Sequence, residues 1–566
     1  MRLPFAGTLI LATAAAGAAG AQAPPLAGGG PGSDVGQAVA MLHDRMAVVG
    51  EFEQTAMFGS VSVTSADAPA ARSDVFVAMY NRFTAEVYWA RRMGTGVFND
   101  FAGGVAFDNG NNVYVAGYFT GVATWDGGAN PDVTITTRSD FDGFLAKYSA
   151  TGDLAWVQQI GGTDQDVARG VVTDEDDNVY VAGSFYGTAT WGDARGDTTI
   201  TSLGSNDGYV AKYASDGALQ WVLRVGGTDG DEGRALDYRQ GELYAAGTFR
   251  GVALFGAVPL SSRGFSDIFV ARLDEAGAVV WAQQVGGAGF DYGRGVAVGP
   301  YVSSDVRVAG SFEESILLGN TVLTSAGNSD AVTARIDVDT GALLDGVRIG
   351  GTGFDIANAI TSDDGTAFAT VGYLEGPVTV TTPAGHGPPI PGAGGVDAFA
   401  YVQGSWVYEA DTLFVLGGPN ADRGYGAAGY FNEYVAVTGT FRDTADFDGA
   451  PLVSVGGNDV FLFTAMTGCG ACPATEPGPA GAVALGPPAP NPAAGRASIA
   501  VTLDRPRALR VELFDALGRR AALLHEGPLP AGRSVLALDA GGLAAGAYVL
   551  RAVGEGVAVS RRLAVR

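Results

Sequence analysis

An all-β chain is what this sequence predicts: a seven-bladed β-propeller followed by a small immunoglobulin-like β-sandwich. Three observations lead there. The glycine of a "V-A-G-x-F" strand recurs at Gly50, Gly117, Gly183, Gly247, Gly310, Gly372 and Gly439, at spacings of 67, 66, 64, 63, 62 and 67 residues. Asp74, Asp142, Asp207, Asp267, Asp330, Asp397 and Asp459 open a later strand of each unit. Asp34, Asp100, Asp166, Asp231, Asp291, Asp355 and Asp422 mark the turn ahead of each unit. The three series all count seven, and a period that regular decides the architecture before any local reading.

The clearest copy reads Gly161-Gly162-Thr163-Asp164-Gln165-Asp166, then Asn178-Val179-Tyr180-Val181-Ala182-Gly183-Ser184-Phe185, then Asp207-Gly208-Tyr209-Val210-Ala211-Lys212-Tyr213, then Leu219-Gln220-Trp221-Val222. Short runs rich in Val, Tyr, Phe and Trp, punctuated by Gly, Asp and Asn, read as strands and exclude a helical solenoid. A period of 62 to 67 residues is too long for a β-helix rung but holds four strands and an excursion, so one unit is one blade. Gly170–Thr173 is expected innermost, with Asn178–Phe185, Tyr209–Tyr213 and Leu219–Arg224 following outward and Ala189–Ser202 as an inserted hairpin. On these motifs, residues 28–467 resemble the seven-bladed β-propeller repeat (SBBP-type) family, whose pattern is "G-N-V-Y-V-x-G" followed by "D-A-F-V-A-K".

The seventh unit departs from the pattern. A strand equivalent to Leu219–Arg224 follows six of the Asp-opened strands, at Trp89, Trp156, Trp221, Trp281, Leu343–Arg348 and Thr412–Leu416. After Val460–Ala465 the chain instead enters a Gly/Pro/Cys linker, 468–486. The expectation is a seventh blade without its outer strand, and no N-terminal segment evident to supply it.

The two ends speak about location. Residues 1–21 read as a secretory signal: Arg2, an apolar stretch Leu3–Ala16, then small residues, with cleavage expected before Gln22. That stretch is too short and too weakly apolar to span a bilayer, and no other segment could. In residues 487–566 the motifs are Pro490-Asn491-Pro492, Asp515-Ala516-Leu517-Gly518-Arg519, Leu543-Ala544-Ala545-Gly546-Ala547-Tyr548 and a basic final strand ending at Arg566. This region resembles the type A C-terminal sorting domain of type IX secretion cargo. The resemblance implies partnership with the type IX machinery, passage through the periplasm and outer membrane, cleavage of this domain, and frequent attachment of the cargo to surface lipopolysaccharide. Read from alternation alone, short strands such as Ser498–Leu503 and Arg510–Asp515 fit a small sandwich, and a carbohydrate-binding accessory domain is the alternative.

Charge divides at the same boundary. From residue 483 onward 11 Arg stand against 6 acidic residues, a net of +5; the whole chain carries −26, leaving −31 for residues 1–482. An acidic ring argues against nucleic acid and anionic membrane as partners. Only His43, His386 and His525 exist, none with a nucleophile or metal partner at a recognisable spacing, and no nucleophile elbow, Walker loop or zinc-protease motif occurs. The "G-G-T-D" segments resemble phosphate cradles, but they join strands and lack the helix N-terminus such a site uses.

The recurring aspartates have two readings. They can cap backbone N–H groups in tight turns, or carboxylates can hold Ca²⁺; the densest oxygen-ligand run is Thr173–Asn178, with Asp174, Asp176 and Asp177 as the metal candidates. A residue present in every unit points to architecture, and no loop has the D-x-D-x-D-G spacing. Trp125, Trp156, Trp191, Trp221 and Trp281 could stack on sugars, but their repeated positions point to packing. Cys469 and Cys472 are candidates for a small disulfide at the end of the ring.

The function expected is a secreted or cell-surface binding or adhesion propeller, not an enzyme, needing no cofactor and meeting a glycan or protein ligand through its gathered loops. The alternative is a polysaccharide-degrading enzyme with carboxylates near the channel. Glu51, Glu232 and Glu313–Glu314 break the repeat and are the acids that alternative would use.

Overall fold

The computed structural model describes residues 10–11, most of 25–466 (apart from 67, 69–71, 96, 194–195, 300–304, 363–366, 405–410 and 431–433) and 483–485, 496–503, 506–514, 520–530, 532–539, 541–543, 546–554 and 557–565. Two compact units are present, Met1–Cys472 and Pro473–Arg566.

The first unit is built from one repeated antiparallel sheet. In the clearest copy Asp166–Thr173 pairs with Val179–Asp193, that strand with Gly196–Tyr213, and that with Leu219–Gly227. The first strands of successive sheets are Val35–Leu42, Phe101–Phe107, Asp166–Thr173, Glu232–Arg239, Tyr292–Val298, Ile356–Ser362 and Arg423–Tyr430. Each packs beside the next, and Arg423–Tyr430 packs beside Val35–Leu42, so the series forms a closed cycle. Second and third strands are buried on both faces, as in Val113–Phe119 and Asp142–Tyr148. This is why they read as near-continuous apolar runs and not as a strict alternation. Neighbouring sheets share cores: Val77 and Met79 of one lie in a cluster with Val113, Val115 and Phe119 of the next.

The expectation of an incomplete seventh sheet is corrected. Leu26–Gly28 pairs antiparallel with the last strand of the ring, Leu26 opposite Leu462 and Gly28 opposite Val460. The fourth strand of the seventh sheet therefore comes from the start of the ring, and it covers the edge at Val460–Leu462.

The inserted hairpins do more than fill a loop. Each reaches back and pairs with the end of the fourth strand of the preceding sheet: Ala123 with Thr95, Ala189 with Gly162, Ala253 with Gly227, and Val378 with Gly351. Single bridges do the same at Gly287–Ile316, Gly417–Asp446 and Gly29–Met57. The last of these joins the closing strand to the first sheet's hairpin, so backbone hydrogen bonds stitch all seven junctions.

The second unit has two antiparallel sheets. One orders Val483–Leu485, Arg496–Leu503 and Gly532–Asp539; the other orders Arg520–Leu529, Arg507–Phe514, Gly546–Gly554 and Val557–Val565. Ile499, Val501 and Leu538 from the first share a core with Leu509, Val511, Leu513, Tyr548 and Leu550 from the second, which makes a β-sandwich.

Candidate functional site

The repeated aspartates are turn devices. One carboxylate oxygen of each turn aspartate accepts a backbone N–H at the end of the preceding fourth strand: Gly30 to Asp34, Thr95 to Asp100, Gly162 to Asp166, Gly227 to Asp231, Gly287 to Asp291, Gly351 to Asp355 and Gly418 to Asp422, all at 2.7 Å. In five of them the second oxygen accepts a further backbone N–H, as from Arg250 to Asp231 and from Arg442 to Asp422, both at 3.0 Å, whereas Oδ1 of Asp166 and of Asp291 makes no hydrogen bond among the described residues. The strand-opening aspartates also accept a backbone N–H, usually from four residues upstream, as from Arg138 to Asp142 at 2.8 Å and from Val455 to Asp459 at 2.6 Å. A side chain on Gly161 or Gly350 would collide with Asp142 or Asp330, which is why glycine stands there. Burial pushes the turn carboxyls up, partly countered by those N–H bonds: Asp34, Asp100, Asp231 and Asp291 to about 7, Asp166 to about 8, Asp355 and Asp422 to about 6.

Three residues past each turn aspartate, every first strand carries a bulge. The pairing register skips one residue in each sheet: Gln37, Gly103, Arg169, Arg234, Arg294, Asn358 and Tyr425. A bulge turns its extra residue out of the ladder, and here the strand in question is the innermost. Three consecutive sheets place arginine at this position. Arg169, Arg234 and Arg294 feel one another's charge: burial and the neighbouring arginines depress Arg294 to about 10 and lower Arg169 as well. The Nε atoms of Arg169 and Arg294 are buried and make no hydrogen bond among the described residues.

One carboxylate faces the three. Glu232 accepts from Arg234, Nε to Oε2 at 3.0 Å and Nη2 to Oε2 at 2.8 Å, with the Arg234 side chain 24% and the Glu232 side chain 35% exposed. Burial would raise Glu232, but Arg234, Arg169 and Arg294 together hold it below the usual range. Around the cluster stand aromatic rings. Arg294 lies 5.9 Å from the Tyr292 ring centre, and Arg423 lies 5.3 Å from that of Tyr373; Tyr118 interacts electrostatically with Arg169, Arg234 and Glu51.

Of the acids that appeared to break the repeat, Glu232 alone joins this cluster through a hydrogen bond. Glu51 spans a junction between sheets: its Oε1 accepts the Ala102 N–H at 2.8 Å, and burial raises its carboxyl to about 8. Thr248 performs the same service, accepting the Gly293 N–H at 3.2 Å. Glu313 is not singular; strand register aligns it with Glu53 and Glu375, each placed just after the residue opposite a strand-opening aspartate. Glu53 and Glu375 accept the N–H groups of Ser33 at 3.1 Å and Phe354 at 2.9 Å, again bonds to turns.

Asp174, Asp176 and Asp177 do not converge, and among the described residues no three His, Cys, Asp or Glu side chains form a metal-binding group. Asp174 binds the backbone and side chain of Asn178 and pairs with Lys212 at 3.2 Å. Asp177 points away, its Oδ1 accepting the backbone and side-chain N–H groups of Asn109 in the preceding sheet. The tryptophans lie within and between the sheets. Trp125 and Trp191 are fully buried, while Nε1 of Trp89, Trp156, Trp221 and Trp281 donates to Ala150, Ser215, Glu275 and Val338 of the next unit at 3.1–3.2 Å. His386 sits on a hairpin, its Nδ1 2.9 Å from Thr381 Oγ1, and His525 lies in the second unit. Cys469, Cys472, Pro490, Asn491, Pro492, Asp515, Gly518, Arg519 and Arg566 lie outside the described residues. Gly546 opens a sandwich strand, and Tyr548 is buried in its core.

Bulge placement is the signal that sequence reading missed: the "D-x-A-R-G" segment looks like ordinary polar alternation until the skipped register reveals that its arginine is the extra residue.

Comparison with known proteins matches residues 155–184 to the β-propeller repeat family SBBP. An uncharacterized WD repeat-containing protein of Acanthamoeba polyphaga mimivirus is 25% identical over 240 residues, 36% of this chain and 17% of that protein. The regulatory protein FlaEY of Caulobacter vibrioides is 30% identical over 111 residues, 19% of this chain and 12% of that one. The chain thus spans under a fifth of the length of either relative. Among solved structures, PorZ, a surface component of the type IX secretion system of Porphyromonas gingivalis, is similar at 11% identity over 94% of this chain and 86% of its own, with a TM-score of 0.14. Latent dimeric PorU of Porphyromonas gingivalis is similar at 11% identity over 82% of this chain and 32% of its own, with a TM-score of 0.13. Residues 155–184 cover the fourth strand of one sheet and the first two of the next, and the same pairing recurs in the other units. Residues 155–184 are thus similar to one β-propeller repeat, and the strand pairing found there recurs around the ring.

Proposed function

We propose that this protein is an exported, non-enzymatic binding module: a seven-bladed propeller carried to the cell surface by a C-terminal immunoglobulin-like sorting domain that the type IX secretion machinery reads. The observation that carries the binding reading is the division of labour in the first strand. Its turn aspartates are alike in every sheet, whereas the residues at the innermost bulges differ and three neighbouring sheets contribute arginine. Variation on a repeated frame is how a propeller builds a ligand site. Glu51, Glu232 and Glu313–Glu314 are the carboxylates the enzymatic alternative would use. Glu51 is spent on Ala102 and Glu232 on Arg234, which favours binding over turnover.

The sorting reading rests on the resemblance of residues 487–566, and the signal-peptide reading on residues 1–21. Its test is expression, in a host with a type IX system, of the full chain and of a truncation ending at Ala482, followed by fractionation and C-terminal mass spectrometry. The full chain is expected at the surface with its last residues removed, and the truncation in the periplasm. A surface-located truncation, or a mature form that still ends at Arg566, contradicts the proposal.

A further inference from the structure

We propose that the arginine bulges of three neighbouring sheets form a binding site for an anionic sugar residue, a pyranose bearing a carboxylate or a sulfate, seated on Arg169 and Arg294. The inference rests on the surface-binding reading and names the ligand class.

Three arginines and one glutamate leave the cluster with a net charge of about +2 in a ring whose sequence carries −31 over residues 1–482. Like charges gathered on a folded protein cost stability, and Glu232 neutralises only one of them. Arg234 is committed to Glu232. Arg169 and Arg294 keep their Nε–H donors unpaired in the chain although those atoms are buried. A planar guanidinium with a free edge is suited to a forked bond with a carboxylate or sulfate oxygen pair, and a partly desolvated site strengthens that bond.

The aromatic side chains specify a sugar over a bare ion. From the exposed rim inward, Phe265 stacks on Phe290 at 4.6 Å, and Phe290 lies parallel to Tyr292 at 6.3 Å, whose ring faces Arg294. Phe265 is 64% exposed. A second file, Phe141, Tyr118 and Phe101, has ring centres 5.2 and 4.8 Å apart, and its middle ring senses Arg169 and Arg234. Rings leading to a cationic centre offer apolar faces for a pyranose and a charged anchor for its acidic group. A long polyanion such as nucleic acid fits badly, because the acidic ring repels it away from the cluster. A single acidic residue or a short chain end meets little of that repulsion.

The experiment is isothermal titration of the full chain with galacturonic acid, galactose 6-sulfate, galactose, acetate and inorganic sulfate, repeated on Arg169→Gln, Arg294→Gln and Tyr292→Ala. At least one acidic sugar is expected to bind at least about tenfold more tightly than galactose and than either bare anion. Each arginine variant is expected to weaken it by a similar factor, and Tyr292→Ala by about threefold or more. The arginine variants are also expected to melt no lower than the parent, since they remove repulsion. Equal binding of galactose, binding of inorganic sulfate as tight as that of the sugars, affinity unchanged in both arginine variants, or no detectable binding of any probe would each overturn the inference. If every probe fails while the full chain still reaches the surface and its truncation does not, the site assignment falls and the export reading stands.

Discussion

Asp166 and Arg169 lie three residues apart on one strand, yet they belong to different kinds of position. Asp166 has a counterpart in every sheet making the same 2.7 Å bond to a backbone N–H. Arg169 sits at a bulge that every sheet repeats in backbone but fills with a different set of side chains, from Gly103 to Tyr425. The contrast separates architecture from recognition, because the chain supplies its own internal copies. Where the copies agree the residue holds the ring together, and where backbone agrees but side chain does not, the residue is free to be chosen for a ligand.

Two measurements bear on the architectural half. The largest effect is expected from removing the closing strand. A chain beginning at Pro31 loses the pairing of Leu26–Gly28 with Val460–Leu462 and the Gly29–Met57 bridge. It should lose cooperative melting, or about 3 kcal/mol or more of stability, and become open to proteolysis in the seventh sheet. Melting unchanged from the parent would show that the ring does not depend on this strand.

A smaller, graded effect is expected from pH. The turn carboxyls ionise near 3.8 when unfolded and near 6 to 8 when folded, because burial disfavours the charge. Between those values the folded state holds more protons than the unfolded one. Stability is therefore lost as pH rises through 6 to 8 and regained as pH falls toward 4. Asp174 and Glu232, which are held low, act oppositely only below the ordinary carboxylate range. The melting temperature should be higher at pH 5 than at pH 8, by about 5 °C or more. A flat or reversed profile would mean that the backbone N–H donors outweigh burial and keep these carboxylates charged.

Much of this frame was legible in the sequence. The period, the two aspartate series and the hairpin all follow from local chemistry repeated often enough to stand out. What was hidden depends on contacts far apart in the chain. Leu26–Gly28 is three residues with no β-branched member, and only the unpaired edge of a strand more than 400 residues away gives it a partner. The back-pairing of hairpins onto preceding sheets is hidden for the same reason. Glu313 looked singular although Glu53, Glu313 and Glu375 each stand three residues after a strand glycine, Gly50, Gly310 and Gly372, because only three of the seven units carry glutamate there. The arginine cluster was invisible because a bulge is a property of pairing, and alternation along a strand cannot reveal it.

The division between frame and site is tested most directly on Asp166 and Arg169 together, by measuring melting temperature and galacturonic acid affinity for Asp166→Ala and Arg169→Gln in the full chain. Asp166→Ala is expected to lower stability by about 1–3 kcal/mol, through the loss of its bond from the Gly162 N–H, while folded protein keeps its affinity. Arg169→Gln is expected to keep or raise the melting temperature and weaken binding at least about tenfold. A stability loss in Arg169→Gln as large as that in Asp166→Ala, with sugar affinity unchanged, would contradict the account, because the bulge arginine would then be one more piece of the frame.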